Sequence, residues 1–319
     1  QYGDFPLLYG QYFNSPLDKE TPYLDGDPVY YPDVRTGKYE LADDRKNSKP
    51  NYEDEFKSFF PRMWSPKKNH VKAYKQWSGF EGKPVKYRDS RGQMSTIRKP
   101  KFSENISFFF KYQIGWMYFR YFMWNFSGRQ NDTQGHGNFQ DGNWMTGVPF
   151  IDEAHVGNQD ELPSYLENQK ARNFFFVLPL ILGLLGMLFH FKADKRNAWV
   201  VLLLFLFTGL AIVVYLNQYP YQPRERDYAY AGSFYAFAIW IGFGVLALYD
   251  AARNLTIKDL GQTIGMTVGG ALALTLVGSM FGGNESFAML MVYIAVVSAA
   301  LLALMYGIGQ VVKDQKLQA

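Results

Sequence analysis

The segment Asn217-Gln218-Tyr219-Pro220-Tyr221-Gln222-Pro223-Arg224-Glu225-Arg226-Asp227-Tyr228-Ala229-Tyr230 gathers the residue types that could do chemistry in this 319-residue chain. Arg224 and Arg226 carry forked guanidinium groups suited to gripping a phosphate through charge-assisted hydrogen bonds. Glu225 and Asp227 are placed to orient those arginines, or to act as general base or metal ligand. Tyr228 and Tyr230, with the tyrosines before them, offer rings that stack on a sugar or line a lipid cleft. Pro220 and Pro223 stiffen the entry and hold Tyr219 and Gln222 extended. The same spacing also fits an ordinary membrane-edge loop whose two bases and two acids pair with each other. Residue types alone leave both readings open.

Other candidate chemistry is thinner. His70, His136, His155 and His190 show no metal-ligand spacing, so no metal site is expected from them. Asp141, Asp152 and Glu153 lie in a polar stretch where carboxylates are ordinarily solvated. The absence of cysteine excludes disulfide frameworks, thiolate catalysis and cysteine-ligated metals together. The net charge of +4 supplies no basic field, so nucleic acid is not an expected partner.

These residues are set in a chain of two unlike halves. Residues 1–172 hold 24 of the 33 Lys+Arg and 22 of the 29 Asp+Glu, while long apolar runs dominate 173–319. Residues 1–103 read as a polar, irregular and partly β module, since Tyr, Pro, Asp and Gly recur there without helical period. Its many aromatic residues argue against disorder. Residues 104–126 form an aromatic run long enough to cross a bilayer, but Lys111 and Arg120 lie inside it. Each base would cost about 2.5–3.5 kcal/mol at a helix centre, so a helix lying in the headgroup plane is expected. Residues 127–172 follow as a polar loop.

Five apolar segments then read as transmembrane helices, at about 173–191, 198–216, 231–250, 262–281 and 286–310. Gly183, Gly186, Gly242, Gly244, Gly269 and Gly270 are small enough for close helix approach. The expected fold is thus mainly α: a polytopic membrane helix bundle of about five transmembrane helices plus one interfacial aromatic helix, preceded by the irregular module. Near-absence of charge inside the helices argues against a pump or transporter. Seven bases in one set of short loops and the tail, against Arg224 and Arg226 in the other, place the 218–230 segment outside. Lys170 and Arg172 narrow that margin. The polar half is then extracytoplasmic. The chain begins at Gln1 without a targeting segment and reads as a piece of a larger polypeptide.

The strings PLLYGQYFNSP (6–16), YFRYFMWNFSGRQND (118–132) and QYPYQPRERDYAYAGSFYAFAIWIG (218–242) resemble the bacterial membrane proteins grouped as domain-of-unknown-function family 2723. Those proteins are similar to protein O-mannosyltransferases and other glycosyltransferases of the GT-C fold. The resemblance implies an inner-membrane enzyme with its polar half periplasmic, a polyprenyl-phosphate sugar as donor, an exported protein as acceptor, and membrane lipids around it. A divalent metal is a further implied cofactor. It also implies that Arg224 and Arg226 hold the donor phosphate, with Glu225, Asp227, Tyr228, Tyr230, Arg129, Asn131 and Asp132 in support. The family's acidic catalytic motif does not occur in these residues, which implies another polypeptide supplying the missing helices, or an inactive copy. The alternative is a non-catalytic membrane scaffold that docks a partner complex through its outer polar half.

Overall fold

The computed structural model describes residues 5–88, 92–159, 162–280, 292, 295–296, 298–300 and 302–311. The chain divides into two compact units, one of Gln1–Arg120 with Gly209–Tyr230, the other of Tyr121–Thr208 with Ala231–Ala319.

In the first unit, strands form only antiparallel pairs among the described residues: Tyr9–Gln11 with Lys57–Phe59, Tyr23–Leu24 with Lys49–Pro50, Val29–Pro32 with Tyr39–Asp43, and Lys83–Arg88 with Met94–Lys99. Aspartates punctuate them, because a short carboxylate accepts hydrogen bonds from backbone just ahead of it. Asp18 accepts from the Thr21 amide at 2.7 Å, and Asp33 from Arg35 at 3.0 Å. The helix Lys68–Ser78 ends at Gly79, whose φ of 69° needs no Cβ and whose amide returns to Lys75 O. Its inner face carries His70, Ala73 and Tyr74. Tyr74 meets Phe108 edge-on at 4.9 Å and stacks against Phe13 at 6.0 Å, so a subset of the module's aromatics, with Tyr12 and Phe56, forms its core.

The aromatic segment is helical, as expected, but in three consecutive forms: α over Phe102–Phe108, π over Phe109–Phe119 and α again over Arg120–Phe126. Glu104 starts it by accepting the amides of Lys101, Glu81 and Gly82 at 2.7, 2.7 and 2.9 Å. Its two bases part company. Lys111 is exposed, whereas Arg120 is buried and paired with a carboxylate far away in sequence. The insertion cost reckoned for a bare charge therefore does not apply to Arg120, and most of the rings are buried in protein, among them Phe108, Tyr112, Tyr121 and Phe126.

In the second unit, Phe122, Met123, Phe126, Phe237 and Trp240 form one hydrophobic cluster. The helices Leu178–Ala193 and Ala231–Asn254 touch through glycine. A Cβ at Gly186 would lie 1.8 Å from Trp240 O, and one at Gly244 would lie 2.2 Å from Leu182 O. Gly183 faces the Phe237 ring, while Gly242, Gly269 and Gly270 meet nothing within 4 Å. Asp152, expected to be solvated, is buried and accepts Thr146 N, Thr146 Oγ1 and Gly147 N, each at 2.8 Å.

Among the described residues two helical stretches are long and apolar enough to cross a membrane, Lys195–Leu216 and Asp227–Asn254. Of the five expected spans, these are the second and third. The first is a shorter apolar helix, Leu178–Ala193, and the fourth folds as the helix Ile257–Met280; of the fifth, 286–310, residues 286–291, 293–294, 297 and 301 lie outside the described residues.

Candidate functional site

Residues 217–226 join the two apolar stretches, and they fold as they do because Asn217 turns the chain. Asn217 ends the Leu210–Leu216 helix in the left-handed region, with φ 38° and ψ 53°. Asparagine tolerates that conformation better than other residues with a Cβ. Its side chain then fixes three neighbours. Nδ2 donates to Pro6 O at 2.7 Å and to Pro61 O at 3.0 Å, and Oδ1 accepts Gln113 Nε2 at 3.1 Å. Its carbonyl accepts the Trp64 indole at 3.0 Å, and Gln113 Nε2 also reaches Gln218 O at 2.9 Å. Arg62, fully buried, closes the helix end by donating to Val214 O at 2.9 Å and to Leu7 O, which places a cation at a helix C-terminus. Burial pulls its pKa down to about 10.

Around this junction lies a cavity of about 240 Å³ lined by Phe5, Trp64, Leu216, Gln218, Tyr219, Gln222 and Arg226. Its aromatic wall is ordered. Phe5 stacks on Trp64 at 5.9 Å, Trp64 meets Tyr219 edge-on at 5.9 Å, and His70 stacks behind Tyr219 at 4.5 Å. The Tyr219 carbonyl accepts Gln222 Nε2 at 2.8 Å and the Tyr112 hydroxyl at 3.3 Å. His70 is held by Ser65 Oγ at 2.8 Å from Nδ1, and burial with nearby Lys67 drives its pKa down to about 4. It is therefore a neutral packing ring and not an acid.

Gln218 is the polar anomaly. The residue is only 5% exposed, and among the described residues neither Nε2 nor Oε1 has a hydrogen-bond partner. A buried, unsatisfied polar group costs about 1–3 kcal/mol, and such groups are rare enough to call for a reason. The residue borders the cavity together with Arg226 and three rings, but both polar atoms of its amide are closed off from it.

The structure sorts the sequence-derived candidates into groups. Arg226 lines the cavity, whereas Arg224 is exposed and leans over Tyr228, 5.4 Å from the ring centroid. The two arginines therefore do not share one lining. Glu225 is bound by Arg120, through Nη1 at 3.2 Å and Nη2 at 2.8 Å, and not by its sequence neighbours. Asp227 is exposed at the start of a single 3-10 turn, Asp227–Tyr230. Tyr230 is fully buried, edge-on to Tyr118 at 5.2 Å. Arg129, Asn131 and Asp132 belong to the second unit and are not among the lining residues. There Arg129 sits over Trp124 at 3.9 Å and donates to Asn131 O at 2.7 Å. Asn131 itself ties the loop by accepting the Gly142 amide at 2.8 Å, and Asp132 is exposed. Among the described residues no three His, Asp or Glu side chains gather to hold a metal ion.

Phe5, Trp64 and Gln218 are lining residues to which the sequence assigned no role. One signal for them was present: Asn217 directly after an apolar run marks a helix end, where the chain must turn back on neighbours. For Arg120, a base within an apolar segment calls for a partner.

Residues 3–110 match the model of a family of unknown function, DUF8416, about a third of the chain. That match takes in Phe5 and Trp64 but none of 217–226. It corrects the resemblance to family 2723, because the family model that matches is a different one, and the GT-C kinship inferred through those strings goes with it. No curated protein matches the chain, and no solved structure does. Over residues 3–110, then, the chain is similar to a family whose function is itself unknown.

Proposed function

We propose that this chain is a membrane protein whose 217–226 segment binds the phosphate-bearing sugar head of a lipid-linked donor, for glycosyl transfer to a protein acceptor. The observation that carries this is the cavity shared by Arg226, Gln218 and the rings of Phe5, Trp64 and Tyr219. A guanidinium suits a phosphate, and aromatic faces suit the C–H face of a pyranose. At about 240 Å³ the cavity is smaller than the roughly 300–1,000 Å³ of drug-sized sites, so it fits a head group with the lipid tail outside. Its position in the chain, between two apolar stretches, is where such a head would be met.

Membrane residence is further supported by apolar side chains left exposed on the helices, including Ile181, Leu184, Leu185 and Leu188, and Trp199, Val200, Leu203 and Phe207. Contiguous apolar surface of this kind is rare on soluble monomers. The loop-charge asymmetry adds that the cavity faces the extracytoplasmic, periplasmic side. In transfer, the bond from the sugar anomeric carbon to the phosphate oxygen breaks, a bond to the acceptor hydroxyl oxygen forms, the hydroxyl proton passes to the departing phosphate, and Arg226 stabilises that phosphate's charge. No general base is assigned.

The test is direct binding of a short-chain polyprenyl-phosphate glucose to the full chain in nanodiscs. Wild type should bind, and Arg226→Ala should bind at least about tenfold more weakly. Equal binding by the two sinks the proposal.

A scaffold role has one observation of its own. Every residue of the Val29–Pro32 and Tyr39–Asp43 strands is exposed, Tyr30, Tyr31 and Tyr39 among them. Copurification in fixed stoichiometry with a larger assembly, without lipid-phosphate binding, would favour it.

A further inference from the structure

A second cavity, of about 530 Å³, is lined only by residues of the first unit between Tyr12 and Phe102, inside the stretch that matches the family model. It shares no residue with the cavity at 217–226 and falls within the roughly 300–1,000 Å³ usual for ligand sites. The hairpin of Lys83–Arg88 with Met94–Lys99 forms one of its walls. Side chains two apart on a strand share a face. Lys83 and Val85 thus line the cavity together, while Tyr87, next on that face, packs edge-on against Phe56 at 6.0 Å. On the other strand Lys99 stands directly opposite Lys83 and lines the cavity as well. Like charges opposed in this way destabilise a strand pair.

The rest of the lining does not cancel them. Lys101 adds a third ammonium and Glu55 a carboxylate. Lys101 is already paired outside the lining, with Glu81 at 2.7 Å, so Lys83 and Lys99 are set against Glu55 alone. Burial pulls the Lys99 pKa down and Lys83 adds to that, against an opposing pull from Glu55. An anion between the two lysines relieves their opposition. Beside the charge lies apolar surface: Phe59 and Phe102 border the cavity and are exposed, and Phe102 opens the aromatic helix on which Phe110 is exposed too. Cations beside outward rings suit a phosphate carried on acyl chains better than a free one.

We infer that this cavity seats the phosphate of an anionic phospholipid between Lys83 and Lys99, with Phe59 and Phe102 against its acyl chains. The inference rests on the membrane residence proposed above and is independent of the donor cavity.

The experiment uses the full chain in an uncharged detergent, in an Arg226→Ala background so that binding at 217–226 does not mask the result. Isothermal titration compares three probes: short-chain phosphatidylglycerol, short-chain phosphatidylcholine and glycerol phosphate. Phosphatidylglycerol should bind at least about tenfold more tightly than either of the others. Lys83→Glu should weaken it about tenfold or more, and Lys83→Arg should retain it. Lys99 is left in place because its Nζ donates to Glu55 O at 2.6 Å and so holds the fold. Lys83 is exposed, and glutamate opposite Lys99 turns a like-charge pair into an attractive one, so the unfolding temperature of Lys83→Glu should match or exceed that of its parent. Phe102→Ser should weaken phosphatidylglycerol about threefold or more and leave glycerol phosphate unchanged.

No binding by the parent chain, or equal affinity in folded Lys83→Glu, overturns the site. Glycerol phosphate bound as tightly as phosphatidylglycerol, with Phe102→Ser without effect, overturns the lipid in favour of a soluble phosphate. Carbonate extraction of membranes bearing the chain reads residence separately. Release into the supernatant overturns residence and this inference with it, whereas a chain retained in the pellet confines any failure to the cavity.

Discussion

Arg120 holds Glu225 through two guanidinium nitrogens, at 3.2 and 2.8 Å, across 105 residues of chain. A third bond, from Nε to Trp116 O at 3.0 Å, and the Trp116 ring 4.2 Å from the guanidinium carbon fix the arginine from the other side. The pair joins the aromatic helix to the 218–230 segment inside the first unit. It removes Glu225 from the list of groups open to a ligand.

Breaking that pair should be costly and mending it cheap. Glu225→Ala leaves a buried guanidinium without its carboxylate and should lower stability by roughly 3 kcal/mol. The double variant Arg120→Met with Glu225→Leu should recover most of the loss, as apolar replacements of buried ion pairs often do. Thermal unfolding in detergent, followed by tryptophan fluorescence, measures both. A double variant as unstable as Glu225→Ala would show that the pair's geometry, and not its charge, is what the fold requires.

The two arginines of the segment should behave differently. Arg226→Ala removes a cavity wall and should weaken lipid-phosphate binding about tenfold or more. Arg224→Ala removes an exposed side chain near Tyr228 and should change binding less than about threefold. Titration of both variants with polyprenyl-phosphate glucose separates them.

Asn217 can be dissected by two substitutions. Asn217→Gly keeps the left-handed turn but loses the bonds to Pro6 O, Pro61 O and Gln113. Asn217→Ala loses the bonds and strains the backbone as well. The glycine variant should cost about 2–3 kcal/mol, and alanine a further 1 kcal/mol or so. Chemical denaturation gives the order, and alanine above glycine in stability would contradict it.

His70 predicts an acid-sensitive first unit. Its folded pKa is about 4, below the ordinary 6.5, so the unfolded chain binds the proton more readily. Stability from this group is complete above pH 6.5 and falls as pH drops toward 4. The full loss is about 3 kcal/mol. His70→Phe should flatten stability across that window, and an unchanged pH profile in the variant would place the effect elsewhere.

Glycine positions give a paired prediction in the second unit. Gly186→Ala drives a methyl into Trp240 O and should destabilise by at least roughly 3 kcal/mol, the upper range for overpacking. Gly242→Ala has open space and should be neutral or slightly stabilising through helix propensity. Resistance of each variant to unfolding in sodium dodecyl sulfate reports the difference.

Local patterns made the helices legible. Apolar runs at about 198–216 and 231–250 marked the two long helical stretches, and aspartate with proline marked the irregular first module. What the sequence hid was pairing at long range. Arg224, Glu225, Arg226 and Asp227 look like a mutually paired quartet on paper, but Glu225 turns to Arg120 and Arg226 to a cavity walled by Phe5 and Trp64. The six glycines likewise look equivalent, and only the packing of Gly183, Gly186 and Gly244 against side chain or backbone tells them apart. The short strings that suggested family 2723 carried aromatic and charged residues whose partners they did not include.

The eleven-residue π-helix Phe109–Phe119 sets the angular phase of everything that follows it. The Arg120 amide reaches back to Gly115 O, one residue farther than an α-helix would take it. Each residue of an α-helix turns the chain by about 100°, so deleting one residue within the π segment restores ordinary pitch at the expense of azimuth. Arg120 would swing about that far from Glu225, while the hydrophobic character of the segment stayed the same. The wide turns thus act as a built-in vernier, and a one-residue deletion there should be harsher than most substitutions.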